Sequence, residues 1–201
     1  MKIAKLIKIA STKIEEGITS THWLRHEADA EALVQALEVA PTDHARIVLC
    51  DVLGWRHEKS AVPILINMLE HSSFKVRSAA ADALAKIGDP ASGNALLRRL
   101  ELPDPKIGVR RMLLAALGAV NCQEAIPLLI EYLQNPDPSQ RGSAAWSLGA
   151  MQASESLPEL EKVLRSERSQ YPRDRCLRQL KRFERKLVSN RGGLRKNGVL
   201  K

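Results

Sequence analysis

The sequence predicts an all-α fold: a right-handed α-solenoid (an α-α superhelix) of about four to five stacked helix pairs, closed by N- and C-terminal capping helices. Three observations predict it. First, the chain repeats itself. Aligned on arginine, four segments place Arg46, Arg77, Arg110 and Arg141 at steps of 31, 33 and 31 residues. Seven residues on come Leu53, Leu84, Leu117 and Leu148, then Gly54, Ala85, Gly118 and Gly149; ten beyond each leucine come Pro63, Asn94, Pro127 and Pro158. A fixed period of this size is the signature of stacked supersecondary units. Second, apolar residues within a unit recur at helical spacing: Val76, Ala80, Ala83, Leu84 and Ile87 share one face. Third, hydrophobic residues make up 44% of the 201-residue chain but aromatics only 3%, so the core is aliphatic and alanine-rich. A β-sandwich or barrel would call for aromatic and β-branched runs instead.

Residues 1–16 read as an amphipathic helix, with Ile3, Ile7, Ala10 and Ile14 on one face, Leu6 beside them and Lys2, Lys5, Lys13 and Glu16 elsewhere. A stack of repeats needs polar caps, so 1–20 is assigned as the N-terminal cap; a helix lying on a membrane surface is the alternative. The repeats occupy 21–165. Glycine or a small residue is expected to end each second helix, and proline in the first turn to open the next first helix, where its missing N–H costs nothing. Asn135-Pro136-Asp137-Pro138 is the clearest turn within a unit. The two extra residues of the third unit fall in ELPDPKIG, a proline-rich loop that tolerates insertion. Residues 166–188 form a basic C-terminal capping helix, helical from 173, with Leu177, Leu180, Phe183 and Leu187 on one face; 189–201, RGGLRKNGVLK beyond Asn190, is a mobile basic tail.

The Val-Arg starts (Val76-Arg77, Val109-Arg110), the Ala116-Leu117-Gly118 and Ser147-Leu148-Gly149 ends and the Ala125-Ile126-Pro127-Leu128-Leu129 segment resemble the HEAT-like repeats. The likeness is to the short bacterial subtype first named from phycobilisome lyases, and it covers roughly residues 28–165. The resemblance implies a helical-repeat binding surface. In the lyase-like members it also implies one half of a heterodimer that presents acidic residues and a tryptophan to a bilin; Asp51, Asp82 and Trp146 are the matching candidates here.

The net charge of +8 is concentrated. From Arg165 onward there are 13 basic and 3 acidic residues, a net of +10; the rest of the chain has 18 and 20, a net of −2. Arg175, Arg178, Lys181, Arg182, Arg185 and Lys186 line the polar face of the C-terminal helix and are the candidate anion-binding residues. They are either a solvated face or a patch for phosphates of nucleic acid or anionic lipid. No aromatic interleaves with them, so nucleic-acid binding would be electrostatic rather than by base stacking.

Three dispersed cysteines, Cys50, Cys122 and Cys176, are neither a disulfide framework nor a zinc spacing and fit a reduced, cytoplasmic setting. The N-terminal residues lack the continuous apolar stretch and small-residue site of a signal peptide, and no apolar run is long enough to span a bilayer. Cys50 reads as a small buried thiol. Cys176, among Arg173, Arg175 and Arg178, is the thiol whose pKa neighbouring cations would lower. Arg25-His26-Glu27 and Arg56-His57-Glu58, one repeat apart and each preceded by tryptophan (Trp23, Trp55), look like the doublets of di-iron deoxyhypusine hydroxylases. Those enzymes use four doublets, inside second helices; here two fall at the turns before first helices, where Glu27 and Glu58 suit the helix dipole and the tryptophans pack between repeats. His22 and His26 share a helix face without a third ligand. No metal, cofactor or catalytic residue is assigned.

The arginine column reads as structural, bracing neighbouring units. With the second helices lining a concave face, positions −1, +3, +6, +7 and +10 from each arginine should be core and +1 and +5 should face out. Trp146 with Arg111 is then the candidate contact patch for a protein partner, with Asp51 and Asp82 in the same columns. The predicted function is a non-catalytic scaffold or adaptor holding a protein partner on that face. A bilin lyase-like subunit acting on phycobiliproteins is the first alternative, and an electrostatic nucleic-acid-binding repeat the second.

Overall fold

The computed structural model describes residues 2–11, 23–26 and 28–196, and their side chains except at 2, 184 and 186–196. Ile14, His22 and Glu27 therefore lie outside the described residues, and Lys186 and Leu187 outside the described side chains. Every regular element among the described residues is helical. The chain divides into two units, residues 1–122 and 123–201.

The first unit opens with α1 (Lys2–Ser11), which buries Leu6 and Ala10 against α2 (Ala30–Val39) and α3 (Asp43–Trp55). Local chemistry starts α2 and α3. The Asp29 side chain accepts from the Ala32 amide at 3.0 Å to cap α2, and Thr42 accepts from the Ala45 amide at 3.2 Å to cap α3. Two more pairs follow: α4 (Val62–Met68) with α5 (Phe74–Ile87), and α6 (Gly93–Glu101) with α7 (Ile107–Ala119). The second helices α3, α5 and α7 lie side by side, and each first helix packs on its own partner. In the second unit, α8 (Ile126–Tyr132) pairs with α9 (Pro138–Ala150), and α10 (Leu157–Ser166) with α11 (Gln170–Lys196). Proline sits in the first turn of α4, α8 and α10, as predicted, but a short 3-10 turn precedes each first helix of these later pairs.

The predicted core columns are buried. Around Arg77 they are Val76, Ala80, Ala83, Leu84 and Ile87; around Arg110, Val109, Leu113, Ala116, Leu117 and Val120; around Arg141, Gln140, Ala144, Ser147, Leu148 and Met151. The repeat around Arg46 departs at +10. There Arg56 is half-buried and sends Nη1 to the carbonyls of Ala28 and Leu24 at 2.6 and 3.4 Å. Position +4 is buried as well (Cys50, Ala81, Leu114, Ala145).

The glycines at +8 do not stop the helices. They lie inside them, and Gly54 and Gly149 sit at a close approach to the next second helix. A Cβ on Gly54 would stand 2.7 Å from the Ala83 Cα, and one on Gly149 1.9 Å from Gln179 Oε1. The chain turns three residues later, at +11, where His57, Gly88, Asn121 and Gln152 all have φ between 52° and 70°. Only one of these left-handed positions is glycine, the residue that adopts it without strain.

The C-terminal helix is the second helix of a fifth pair. Arg173, 32 residues after Arg141, extends the arginine ladder, and its amide bonds the carbonyl four residues back, like those of Arg46, Arg77, Arg110 and Arg141. Pro172, Cys176 and Gln179 occupy −1, +3 and +6 and are buried. The helix continues to Lys196, beyond the boundary expected at 188; Gly192 and Gly193 weaken a helix but do not oblige it to end.

Candidate functional site

Two members of the arginine column, Arg77 and Arg141, brace neighbouring segments of the stack. Arg77 sends Nη1 to the carbonyls of His71 and Ser72, both at 2.8 Å, satisfying chain ends left open after α4. Its Nε and Nη2 meet the buried Asp104 carboxylate at 2.9 and 2.8 Å. Arg99 meets the same oxygen at 2.6 Å and sends Nε to the Leu69 carbonyl at 3.0 Å. The second unit repeats the device. Arg141 Nη1 donates to the carbonyls of Asn135 and Pro136 at 2.8 and 2.9 Å, and its guanidinium grips Glu167 at 2.5 and 2.8 Å. Hydrogen bonding to Arg141 outweighs burial and holds the Glu167 carboxyl below its usual range. These arginines are fully spent on structure.

The second-helix face of the first unit carries a chain of alternating charge. Asp51 lies between Arg25 Nη2 at 2.6 Å and Lys86 Nζ at 2.8 Å, and the same Lys86 reaches Asp82 at 2.8 Å. Burial favours protonation of Asp51, but the bonds to Lys86 and Arg25 prevail and its pKa lies below the ordinary value. Asp51 and Asp82, the candidate acidic contacts, are paired with Arg25 and Lys86, cations the sequence columns did not place beside them. Arg111 is exposed as expected. Trp146 is only half-buried rather than outward, and the neighbouring +1 residue, Gly142, is buried: a Cβ there would stand 2.2 Å from the Tyr171 ring on α11.

The exposed tryptophan is Trp55, 44% accessible, with the Arg25 guanidinium 5.4 Å from its ring and His26 edge-on at 5.0 Å. Both contacts come from the segment one repeat earlier. His57 presents Nδ1 to the Lys86 carbonyl at 2.5 Å, and Glu58 caps the turn before α4 through Ser60. His26 thus takes part in ring packing, and His57 and Glu58 hold the turn before α4. Cys176 is fully buried, and burial, with the Glu167 charge beside it, pushes its thiol up to about 12. That corrects the expectation of a cation-activated thiol: the guanidinium side chains of Arg173 and Arg178 lie at the surface. Burial, then the Asp51 charge, also pushes Cys50 up to about 12.

Between the starts of α5 and α7 the same face of the first unit opens into a groove of about 610 Å³. Its floor and walls are apolar: Ile47, Ala79, Val109 and Met112, with the exposed rings and chains of Phe74 and Ile107 at the sides. Lys75 and Lys106 stand at its mouth, the latter with Nζ 5.2 Å from the Phe74 ring. Sequence columns missed it because Phe74 lies outside every repeating position; a phenylalanine between lysine-bearing helix starts was the available signal. Arg178, Lys181, Arg182 and Arg185 on α11 are exposed, and Arg175 lies 5.2 Å from the Tyr171 ring.

The family model of HEAT repeats matches residues 30–107 and 100–181. The chain belongs to the HEAT-repeat family. Among curated proteins it is similar to the phycocyanobilin lyase subunit alpha of Nostoc sp. PCC 7120, 32% identical over 139 residues, 57% of this chain and 49% of that protein. The chain thus spans about half the length of the curated relative it matches. Among solved structures, its HEAT repeats match a chain of the CpcE–CpcF complex of phycocyanin lyase from Nostoc sp. PCC7120 at TM-score 0.63 and 26% identity, covering 87% of this chain and 74% of that one. YibA of E. coli (TM-score 0.67, 20% identity, 92% and 73% covered) and a designed armadillo repeat protein in complex with the peptide (KR)4 (0.62, 15%, 91% and 100%) share the fold. Helical repeats with lyase-type relatives are what the Val-Arg and Leu-Gly motifs led one to expect. The nucleic-acid reading gains nothing from these relatives. No helix among the described residues is long and apolar enough to cross a membrane.

Proposed function

We propose that this HEAT-repeat chain is one subunit of a bilin lyase-like assembly acting on a phycobiliprotein. The observation that carries the reading is the 32% identity to a phycocyanobilin lyase subunit, supported by the 26% match to a structure in which two such subunits form a complex. The geometry agrees with a role in holding and orienting. The second-helix face of the first unit offers apolar area edged by cations, its aspartates already paired with Arg25 and Lys86. Such a subunit contributes binding area and leaves the bond-forming groups to its partners. The test is co-expression of the chain with a CpcF-type subunit, phycocyanobilin and apo-phycocyanin, followed by detection of covalently attached bilin on a denaturing gel. Chromophore gained or lost only when the chain is present supports the reading. No change in attached bilin, with no shifted tetrapyrrole absorption in any combination, removes it.

The scaffold reading keeps one support of its own. Trp55, backed by Arg25, is a large exposed aromatic beside a cation, and Arg111 is exposed in the same unit; such residues anchor interfaces. With Asp51 and Asp82 they form the proposed partner contacts of the first unit; Trp146 is a separate candidate contact in the second unit. Calorimetric titration with the CpcF-type subunit tests it: Trp55→Ala and Arg111→Ala should each weaken association, and unchanged association with both removes the patch.

A further inference from the structure

The groove between α5 and α7 is bordered by two helix starts that bring cations and no acid. Helices α2 and α3 each begin with an oxygen-bearing cap and an acid in the first turn. Helices α5 and α7, whose first turns border the groove, have, like α4 and α6, no side-chain cap hydrogen bond and no acid in the first turn. Their starts carry Lys75 and Lys106 instead. The acid on the groove wall, Asp82, is already paired with Lys86 at 2.8 Å. The mouth therefore carries uncompensated positive charge, and the two helix dipoles add to it. Beneath it lie Ile47, Ala79 and Met112, so the occupant must be apolar along its body and anionic at its edge. The volume of about 610 Å³ falls within the range of roughly 300–1,000 Å³ that encloses ligands of drug size. Gly108, in the first turn of α7, has open space where a Cβ would stand, so the groove is open on that side and only a large side chain there would fill it.

We propose that this groove is the site for a linear tetrapyrrole, its conjugated body on the Phe74 and Met112 side and its two carboxylates at Lys75 and Lys106. The assignment rests on the lyase-like reading, and deepens it by naming the residues of this chain that hold the chromophore. Charge complementarity selects this occupant: two cations at the rim match a dicarboxylate, and the apolar walls match its ring system.

The probe is biliverdin, titrated into the full-length chain together with its CpcF-type partner and followed by absorbance and induced circular dichroism. The dimethyl ester serves as the uncharged counterpart. Wild type should bind the diacid with an induced signal and the ester roughly tenfold more weakly. K75E/K106E should lose roughly tenfold for the diacid and little for the ester. Gly108→Trp should lose binding of both, while Gly108→Ala, which adds a methyl into free space, should keep it; far-UV circular dichroism checks that each variant is folded. Folded Gly108→Trp or K75E/K106E chains that bind biliverdin as wild type does overturn the groove and leave the lyase-like reading standing. An ester that binds as tightly as the diacid overturns the lysine assignment. Absence of any tetrapyrrole signal with wild type and partner overturns the lyase-like reading and the groove with it.

Discussion

Removing the Asp104 carboxylate should be among the most damaging single changes in the first unit. Its oxygens accept from Arg77 Nε and Nη2 at 2.9 and 2.8 Å and from Arg99 Nη2 at 2.6 Å, and from the Lys106 amide at 2.9 Å. The two guanidinium side chains are 11% and 8% accessible. Asp104→Ala leaves both cations buried without a counter-charge, a change that costs about 3–5 kcal/mol. The orphaned Lys106 amide adds about 1 kcal/mol. Glu70, 3.8 Å from Arg99 but largely solvated, recovers little. The expected net loss is about 4–6 kcal/mol. Urea unfolding followed by circular dichroism reads it as a midpoint lowered by more than about 1 M, for slopes of about 1–3 kcal/mol/M. Adding Arg77→Met to Asp104→Ala removes one stranded cation, so the double variant should be less unstable than the two single losses added together, with a coupling above about 1 kcal/mol. A loss below about 1 kcal/mol, or strict additivity, would refute the claim that this carboxylate holds two repeats together by charge.

Gly54→Leu should destabilise by about 1–3 kcal/mol, because its Cβ would stand 2.7 Å from the Ala83 backbone, whereas Gly108→Ala should stabilise by up to about 1 kcal/mol; thermal melts of the two variants should move in opposite directions. Glu167 is held below its ordinary carboxyl range by Arg141, so the folded chain resists protonation that the unfolded chain accepts. Its contribution is present above the unfolded value of about 4.3 and is lost as pH falls through the lower folded value. Urea midpoints between pH 6 and pH 2 should therefore fall less steeply in Glu167→Gln than in wild type. Cys50 and Cys176, both pushed up to about 12, should resist a thiol reagent at pH 8 until urea unfolds the chain; rapid modification of Cys176 in the native state would show that its burial is wrong.

Much of the fold was legible in the residues alone because helical repeats are local. A unit needs only its apolar period, its caps and its turn, all written within 31 to 33 residues; the columns at −1, +3, +6 and +7 around Arg77, Arg110 and Arg141 accordingly lie inside. Close approach between units was not legible. Glycine at +8 reads as a helix stop in one dimension, and only the neighbouring helix reveals it as a notch, with Ala83 against Gly54. The fifth unit was obscured for a related reason: Arg173 keeps the period, but its basic surface made α11 look like a cap alone.

The candidate site divides in the same way. Sequence by itself determined which face of each second helix turns inward, because burial follows a repeating pattern that any unit displays. It determined as well that Arg77 and Arg141 brace the stack. Only the tertiary structure decided that Asp51 and Asp82 are neutralised by Arg25 and Lys86, that Trp55 rather than Trp146 is the exposed ring, that Cys176 is sealed, and that Phe74, Lys75 and Lys106 gather around one groove. Charge compensation and concavity arise between helices whose residues lie 26 to 35 positions apart, and the distance between two side chains in different units is written in no stretch of sequence.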